Sequence, residues 1–218
     1  PNLKERVNLI FSGEDDQDIS SNLDAQLDQE NDKQSVAIQL ESKKNRQFRL
    51  DHQVRLRSGG KIKLASEAQY KTPFSNNWRA RFSEEIYWQD SIGFGSLTTV
   101  DVDYVVDSSQ LWRWRTAGNF SEISAGVNWQ SILSYSKALD SQRANIFYLR
   151  AFGSTRPNYL TQGYGPGMAH RRTFWKRWLF WELEPQYTWR RSDVSDEREG
   201  IASVALRLQV VFGEDYLH

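Results

Sequence analysis

Apolar and polar residues alternate along most of this chain, and the run near its C-terminal end shows the pattern most clearly. Every second residue from Val204 to Phe212 is apolar, whereas Arg207 and Gln209 lie among the positions between them. Because successive side chains of a strand point to opposite faces, each such run has one apolar and one polar face. The pattern recurs without intervening helical periodicity and therefore predicts an all-β fold.

Turn-forming residues divide the alternating pattern into twelve predicted strands. Their spans are 20–29, which is the weakest, 34–42, 46–57, 61–71, 77–89, 93–106, 110–120, 123–136, 142–153, 158–171, 174–190 and 200–212. Most connections are short, and the predicted hairpin turns include Lys43–Asn45, Ser58–Gly60, Asp107–Ser109 and Ala138–Asp140. The segment Gly163–Gly167 predicts a kinked wall strand, because glycine and proline inside a strand mark a bend or a bulge.

The composition favours a sheet that is apolar outside and polar inside. The chain has 218 residues, with 28 basic and 28 acidic side chains. Its mean hydropathy is -0.70, which is too polar for a membrane-spanning helix. It nevertheless contains nine tryptophans, nine tyrosines and eleven phenylalanines. A closed sheet needs apolar residues only at every second position to face lipid. We therefore predict a transmembrane antiparallel β-barrel of about 12 strands with short connecting turns.

The N-terminal part of the chain leaves the first strand open. A thirteenth alternating run, at residues 7–11, precedes the others, but single-chain bacterial barrels have an even number of strands. If residues 7–11 form the first strand, the acidic stretch from Glu14 to Asp32 is a long exposed loop. Otherwise residues 1–19 form a periplasmic tail or a plug, residues 20–212 form the barrel, and residues 213–218 form a C-terminal tail.

Charged residues concentrate on the polar faces of these strands, which a barrel turns toward its lumen. The predicted lumen-lining residues are Arg49, Asp51, Arg55, Arg79, Arg81, Glu85, Asp101, Asp103, Arg113, Arg115, Glu182, Glu184 and Arg207. Guanidinium groups suit carboxylates and phosphates, so one hypothesis is a polar pore that attracts anions. The other hypothesis is a lumen sealed by salt bridges between neighbouring strands. A charge facing lipid costs about 2–4 kcal/mol at the midplane, so both hypotheses place these residues inside.

The tryptophans predict aromatic girdles at the two membrane interfaces. Most of them fall on the apolar parity or beside a turn, and the predicted girdle comprises Trp78, Trp88, Trp112, Trp114, Trp129, Trp178, Trp181 and Trp189. The segment Trp175–Trp178 carries two basic residues between its tryptophans and predicts an interfacial anchor. A carbohydrate-stacking role is the alternative interpretation of these aromatic residues.

Catalytic and metal-binding patterns are weak in this sequence. The three histidines are His52, His170 and His218. The first two fall on the apolar parity of their strands, and the sequence offers them no clear serine partner. No spacing of histidines or carboxylates suits a metal. We therefore predict neither enzymatic activity, nor a metal, nor a cofactor, and the zero net charge gives no reason to expect nucleic-acid binding.

Over residues 20–212, the alternating strands, inward charges and interfacial aromatics resemble bacterial outer-membrane β-barrels. In size and strand number the chain is similar to the small twelve-stranded channels for acidic oligosaccharides, whose lumens carry arginine and lysine tracks. The chain departs from the usual pattern of a terminal aromatic residue, because six residues follow Phe212.

The resemblance and the residues together predict an outer-membrane barrel in contact with the lipid bilayer, with three hypotheses for its function. The first is a narrow channel for small polar or anionic solutes, in which Arg49, Arg55, Arg79, Arg81, Arg113 and Arg115 attract the anion. The second is a closed structural barrel that anchors an envelope complex and binds a periplasmic or lipoprotein partner. The third is a soluble β-barrel or sandwich that binds a ligand, since the same alternation can bury its apolar face.

Overall fold

The computed structural model describes residues 7–12, 35–44, 47–57, 61–90, 92–124, 126–140, 142–156, 159–174 and 179–210, with backbone only for 7–12, 35–44 and 209–210. Twelve strands form one antiparallel sheet in chain order. Their bounds are β1 Val7–Ser12, β2 Ser35–Lys44, β3 Phe48–Arg57, β4 Ile62–Pro73, β5 Trp78–Gln89, β6 Gly93–Val105, β7 Gln110–Ser121, β8 Asn128–Asp140, β9 Arg143–Ser154, β10 Leu160–Thr173, β11 Leu179–Arg190 and β12 Glu199–Val210. In the described part of the chain, no helix is long and apolar enough to cross a membrane.

The structure identifies the first strand that the sequence left open. Residues 7–12 form β1 and pair with β2, in a register that places Val7 opposite Leu40. The alternative strand at 20–29, the acidic stretch from Glu14 to Asp32 and the tail at 213–218 lie outside the described residues. The described residues form twelve strands, in agreement with the predicted number of about 12.

Most strand bounds differ from the predicted ones by one to five residues. β8 begins at Asn128 rather than at residue 123, because the Ser124 hydroxyl donates to the carbonyl groups of Ser121 and Gly126 and accepts from the Ser121 amide. A serine that bonds to nearby backbone groups in this way favours a turn over a strand. The prediction of a hairpin at Ala138–Asp140 was wrong, because these residues continue β8 and pair with β9.

Side-chain hydrogen bonds fix the turn at Asp107–Ser109 as the sequence predicted. The Asp107 carboxylate accepts hydrogen bonds from the backbone N–H and the hydroxyl of Ser109, at 2.7 and 2.8 Å. These bonds lower the pKa of the Asp107 carboxyl group below its usual value. An aspartate that bonds to the backbone two residues ahead is a common way to close a tight turn.

The sheet has apolar side chains on its exposed face and charged side chains on its buried face, which is the reverse of the arrangement in a water-soluble protein. On the face that we call outer, Val204 and Leu206 have 68% and 69% of their surface exposed. On the inner face, Asp101 has only 2% exposed. Exposed apolar and buried charged side chains suit a wall whose outer surface meets lipid.

The sheet curves around its inner face. Arg113 and Arg115 on β7 line the same recess, of about 220 Å³, as Arg171 on β10 and Glu182 on β11. Strands that are four places apart in the sheet could not share a recess on a flat surface. The charged face is therefore concave.

Tyrosine rings cover glycines at two places on this inner face. A side-chain carbon added to Gly167 would overlap the ring of Tyr148 on β9, and one added to Gly95 would overlap the ring of Tyr87 on β5. β10, which contains Gly167, shifts its register between Thr161 and Gly163. This shift precedes the segment Gly163–Gly167, which pairs with β9 in unbroken register, so the kink predicted within that segment stays a prediction.

Candidate channel lumen

A carboxylate on β6 lies between arginines of the two adjacent strands. The register places Asp101 directly opposite Arg81 on β5 and Arg115 on β7. Arg81 and Arg115 each donate through Nε to an oxygen of Asp101, at 2.7 and 2.5 Å. Asp101 is therefore shared, and its single negative charge is set against two positive charges.

We call a row of residues that lie directly opposite one another on adjacent strands a rung. The neighbouring rung, two residues further along β6, repeats this arrangement. Asp103 lies opposite Arg79 and Arg113. Arg113 donates to both oxygens of Asp103, at 2.7 and 3.0 Å, which gives the bidentate geometry that guanidinium and carboxylate favour. Each of the two rungs thus carries more positive than negative charge.

A second charged group lies on the last two strands. Arg207 on β12 donates at 2.8 Å to Glu182 on β11 and also bonds to Glu184 of the same strand. The hydroxyl group of Tyr148 on β9 donates to Glu184 at 2.5 Å, across the glycine of β10. These contacts join three strands through two carboxylates.

The third charged group lies on β3 to β5 and contains a row of acids. Asp51, Glu67 and Glu85 lie directly opposite one another on adjacent strands. Basic neighbours offset this charge, since Arg49 pairs with Asp51 at 2.5 Å and Lys63 pairs with Glu85 at 2.8 Å. Among the described residues, no group of three histidines or carboxylates could hold a metal ion.

The register places every residue of the predicted lumen-lining set on the inner face, in three separate groups. The groups are Arg49, Asp51, Arg55 and Glu85 on β3 and β5; Arg79, Arg81, Asp101, Asp103, Arg113 and Arg115 on β5 to β7; and Glu182, Glu184 and Arg207 on β11 and β12. The sequence treated these residues as one set, whereas the structure divides them into three groups on different strands.

Tyr148, Arg150 and Arg171 also lie on the inner face, and the alternation of the sequence did not identify them. Tyr148 lies within the continuous apolar run at residues 146–149, so alternation alone could not assign its face. Its partner Glu184 is 36 residues away along the chain. The pairing of β9 with β10 fixes the face of Tyr148, and the alternation within one strand does not contain this information.

Removing the Tyr148 hydroxyl tests whether this network stabilises the fold. Tyr148→Phe keeps the ring over Gly167 but removes the hydrogen bond to Glu184, and a bond to a charged group contributes about 1.5–3 kcal/mol. We expect the free energy of unfolding in lipid vesicles to fall by about that amount, measured by urea titration with tryptophan fluorescence. An unchanged midpoint would mean that the bond adds nothing to stability.

On the outer face, aromatic side chains form rows near the ends of the strands. Trp78 lies 4.8 Å from Tyr104 between ring centroids, and Trp112 lies 4.9 Å from Tyr135. These four residues occupy adjacent positions of one rung. Near the opposite ends of the strands, Trp129 stacks on Tyr159, while Trp189 lies beside Tyr164. Trp88, Trp114 and Trp181 also occupy the outer parity, whereas Trp178 and the segment 175–178 lie outside the described residues.

The two described histidines lie on the outer face, and both have hydrogen-bond partners. His52 Nδ1 lies 2.9 Å from the hydroxyl oxygen of Ser66, which occupies the facing position on β4. The expectation that His52 lacks a serine partner was therefore wrong, because the partner comes from the next strand. His170 Nδ1 lies 2.6 Å from the side-chain oxygen of Asn145 on β9.

Comparison with solved structures shows that the chain has the antiparallel β-barrel fold of small porins. It is similar to the KdgM porin in complex with disordered oligogalacturonate, with a TM-score of 0.50 and 10% identity over 83% of this chain and 93% of that chain. Another structure of the KdgM porin matches with a TM-score of 0.50 and 9% identity over 95% and 98% of the two chains. The NanC porin matches with a TM-score of 0.50 and 7% identity over 95% and 98%.

The predicted barrel class is thereby confirmed. No protein-family model and no curated protein matches the sequence. Structural likeness at this identity defines a fold, so function has to be argued from the residues of this chain.

Proposed function

We propose that this protein is an outer-membrane β-barrel that forms a narrow channel for small anionic solutes. The observation that carries the proposal is the positive excess on the concave face. One rung of the sheet places three cations and one carboxylate side by side, namely Lys71, Arg81, Asp101 and Arg115. A low-dielectric wall with such an excess raises the local concentration of anions.

The ion pairs of β5 to β7 run along the wall, an arrangement that an open lumen and a lumen sealed by pairs between neighbouring strands both contain. Arg81, Arg113 and Arg115 all bond to aspartates on the strand directly beside their own. These bonds hold the guanidinium groups along the wall, so the pairs do not bridge the interior from one side to the other. Guanidinium groups in this position suit the binding of a passing carboxylate.

The outer face supports a membrane location. Its exposed side chains are mainly apolar, and tryptophans and tyrosines form rows near the ends of the strands. A bilayer accepts such a surface, with aromatic rings at the headgroup level. The twelve strands of the described residues are an even number, which is consistent with an outer-membrane barrel.

Acidic oligosaccharides are the solutes that we propose first. The KdgM porin to which this fold is similar was solved with oligogalacturonate, an anionic sugar chain. The arginines on the concave wall of this chain provide the complementary chemistry, since guanidinium groups bind carboxylates in a bidentate manner.

Conductance measurements in planar bilayers test this function. We expect discrete conductance steps and a preference for anions, measured from the reversal potential in a salt gradient. Replacing Arg113 and Arg115 by glutamine removes two positive charges from one wall and should lower the anion preference several-fold. A membrane that stays silent at all voltages, or a cation preference, would contradict the channel proposal.

A charge-neutral control separates local charge from damage to the barrel. The pair Asp103→Arg with Arg113→Asp reverses the bidentate pair but keeps the net charge of the wall. Its anion preference should stay close to that of the wild-type protein. If the control and the Arg113→Gln/Arg115→Gln variant lose selectivity equally, the arginines act through structure alone.

The remaining hypotheses make different predictions for the same preparation. A closed anchoring barrel would insert without conducting and would co-purify with a periplasmic or lipoprotein partner. A soluble binder would stay in solution without detergent, which the exposed leucines and valines of the outer face disfavour. We also propose no enzymatic role, because the carboxylates Asp101 and Glu182 of the concave wall are engaged with arginines of neighbouring strands.

A further inference from the structure

Four polar side chains form a patch on the outer face of β3 to β6. His52 and Ser66 bond to each other, and the Thr98 hydroxyl donates at 2.5 Å to the carboxylate of Glu84. Ser66 lies opposite Ile86, two residues from Glu84 on the same strand and face. We call these four residues the outer polar patch.

The patch lies between the two aromatic rows rather than at an interface. On the outer face of β5, Glu84 lies between Trp78 and Trp88, which occupy the two ends of the strand. Polar groups at this depth, and a carboxylate above all, are costly in contact with acyl chains. A surface that keeps them there needs a polar partner to satisfy them.

His52 and Glu84 lie at matching depths. His52 lies five residues before Arg57, where β3 ends, and Glu84 lies five residues before Gln89, where β5 ends. The ends of these two strands belong to the same rim of an up-and-down sheet, because exactly one strand, β4, separates them. The patch therefore presents a carboxylate and an imidazole at one level, on either side of β4.

The geometry points to a second copy of this chain as the partner that covers the outer polar patch. A two-fold axis along the membrane normal, passing in front of β4, sets β3 of one copy against β5 of the other. His52 then faces Glu84 of the second copy, and the symmetry repeats the contact. An interface that contains both the imidazole and the carboxylate is complementary to itself. This inference rests on the proposal that the outer face meets lipid.

Two other occupants explain the patch less well. Catalysis at the Ser66–His52 pair would need N–H donors for an oxyanion, but β4 is hydrogen-bonded to strands on both sides, so its amides are engaged. A lipid would place acyl chains at this depth, and acyl chains add no hydrogen-bond donor to the one that Thr98 gives the Glu84 carboxylate. A second copy supplies both a donor and an acceptor.

Cysteine cross-linking tests the inference directly, because the chain has no cysteine. Leu64→Cys places a thiol on the outer face of β4, the strand that faces its own copy, without altering the polar residues of the patch, and Leu133→Cys on β8 is the matched control. The two side chains are exposed to 45% and 44%. In lipid vesicles at low protein density, we expect oxidation to yield mostly linked dimers of Leu64→Cys and few of Leu133→Cys. Equal yields would indicate random collision and overturn the inference.

Removing the charge tests the pairing without a cross-link. Glu84→Leu and His52→Leu should each convert the dimer to a monomer in native mass spectrometry from mild detergent, because either change removes both symmetric contacts. Wild-type protein that is monomeric there and in vesicles would overturn the inference. Heat-modifiable migration and vesicle insertion, scored on the same samples, report the membrane barrel independently, so failure of dimerisation is distinguishable from failure of the proposed function.

Discussion

Asp101→Ala should lower the free energy of unfolding by about 3 kcal/mol, the largest effect that we expect from removing one inner-face carboxylate. The Asp101 side chain is 3% exposed, and its partners Arg81 and Arg115 are 30% and 12% exposed. Removing the acid leaves the guanidinium groups of Arg81 and Arg115 close together without the negative charge that offsets their repulsion. Breaking a buried ion pair by deleting one partner is costly because the other charge stays desolvated.

Urea unfolding in lipid vesicles, followed by tryptophan fluorescence, measures this loss. A double-mutant cycle with Arg115→Ala supplies the control, because Asp101→Ala should cost less once one of the two cations is gone. Additive losses would show that Asp101 and Arg115 do not stabilise each other. In bilayers, Asp101→Ala should raise the anion preference, since it removes the negative charge of the rung.

The alternation of residues predicted the face of the charged side chains on β5 to β7 but not which of these residues meet across strands. Arg81, Asp101 and Arg115 were all assigned to the polar face from the sequence, and the structure places them there. Their contact depends on the register of β5 to β7, which the turn lengths and strand ends set. Period-two reasoning therefore predicts a charged wall and leaves its pairing undefined.

The same limit explains the misjudged histidine. His52 and Ser66 are 14 residues apart in the chain and belong to different predicted strands. Only the pairing of β3 with β4 brings them together. A search for serine near histidine in sequence could not find this partner, whereas a strand-pairing scheme could have done so.

Turns were the least predictable elements. The turn at Asp107–Ser109 was evident because aspartate and serine bond to nearby backbone groups. The turn between β8 and β9 was placed too early, because the Asp140 carboxylate accepts the backbone N–H of Gln142 at 2.8 Å and so closes a turn that follows Asp140. Here the pairing with β9, a non-local interaction, extends the strand.

Leu149→Arg should be the most damaging substitution on the outer face, with a loss of about 2–4 kcal/mol in the free energy of folding into lipid vesicles. Leu149 is 59% exposed and lies near the middle of β9, the region that a barrel places at the bilayer midplane. The guanidinium group would have to enter the hydrocarbon or distort the bilayer around it.

The control for this prediction lies near a rim, where the bilayer tolerates charge. Phe94 is 60% exposed and is the second residue of β6, so Phe94→Arg should cost only about 0–1 kcal/mol at the interface. The depth dependence is the decisive quantity, because an outer face that met water would accept arginine equally well at both positions. Equal stabilities of the two variants would therefore show that the apolar face is not in lipid, and the channel proposal would lose its physical basis.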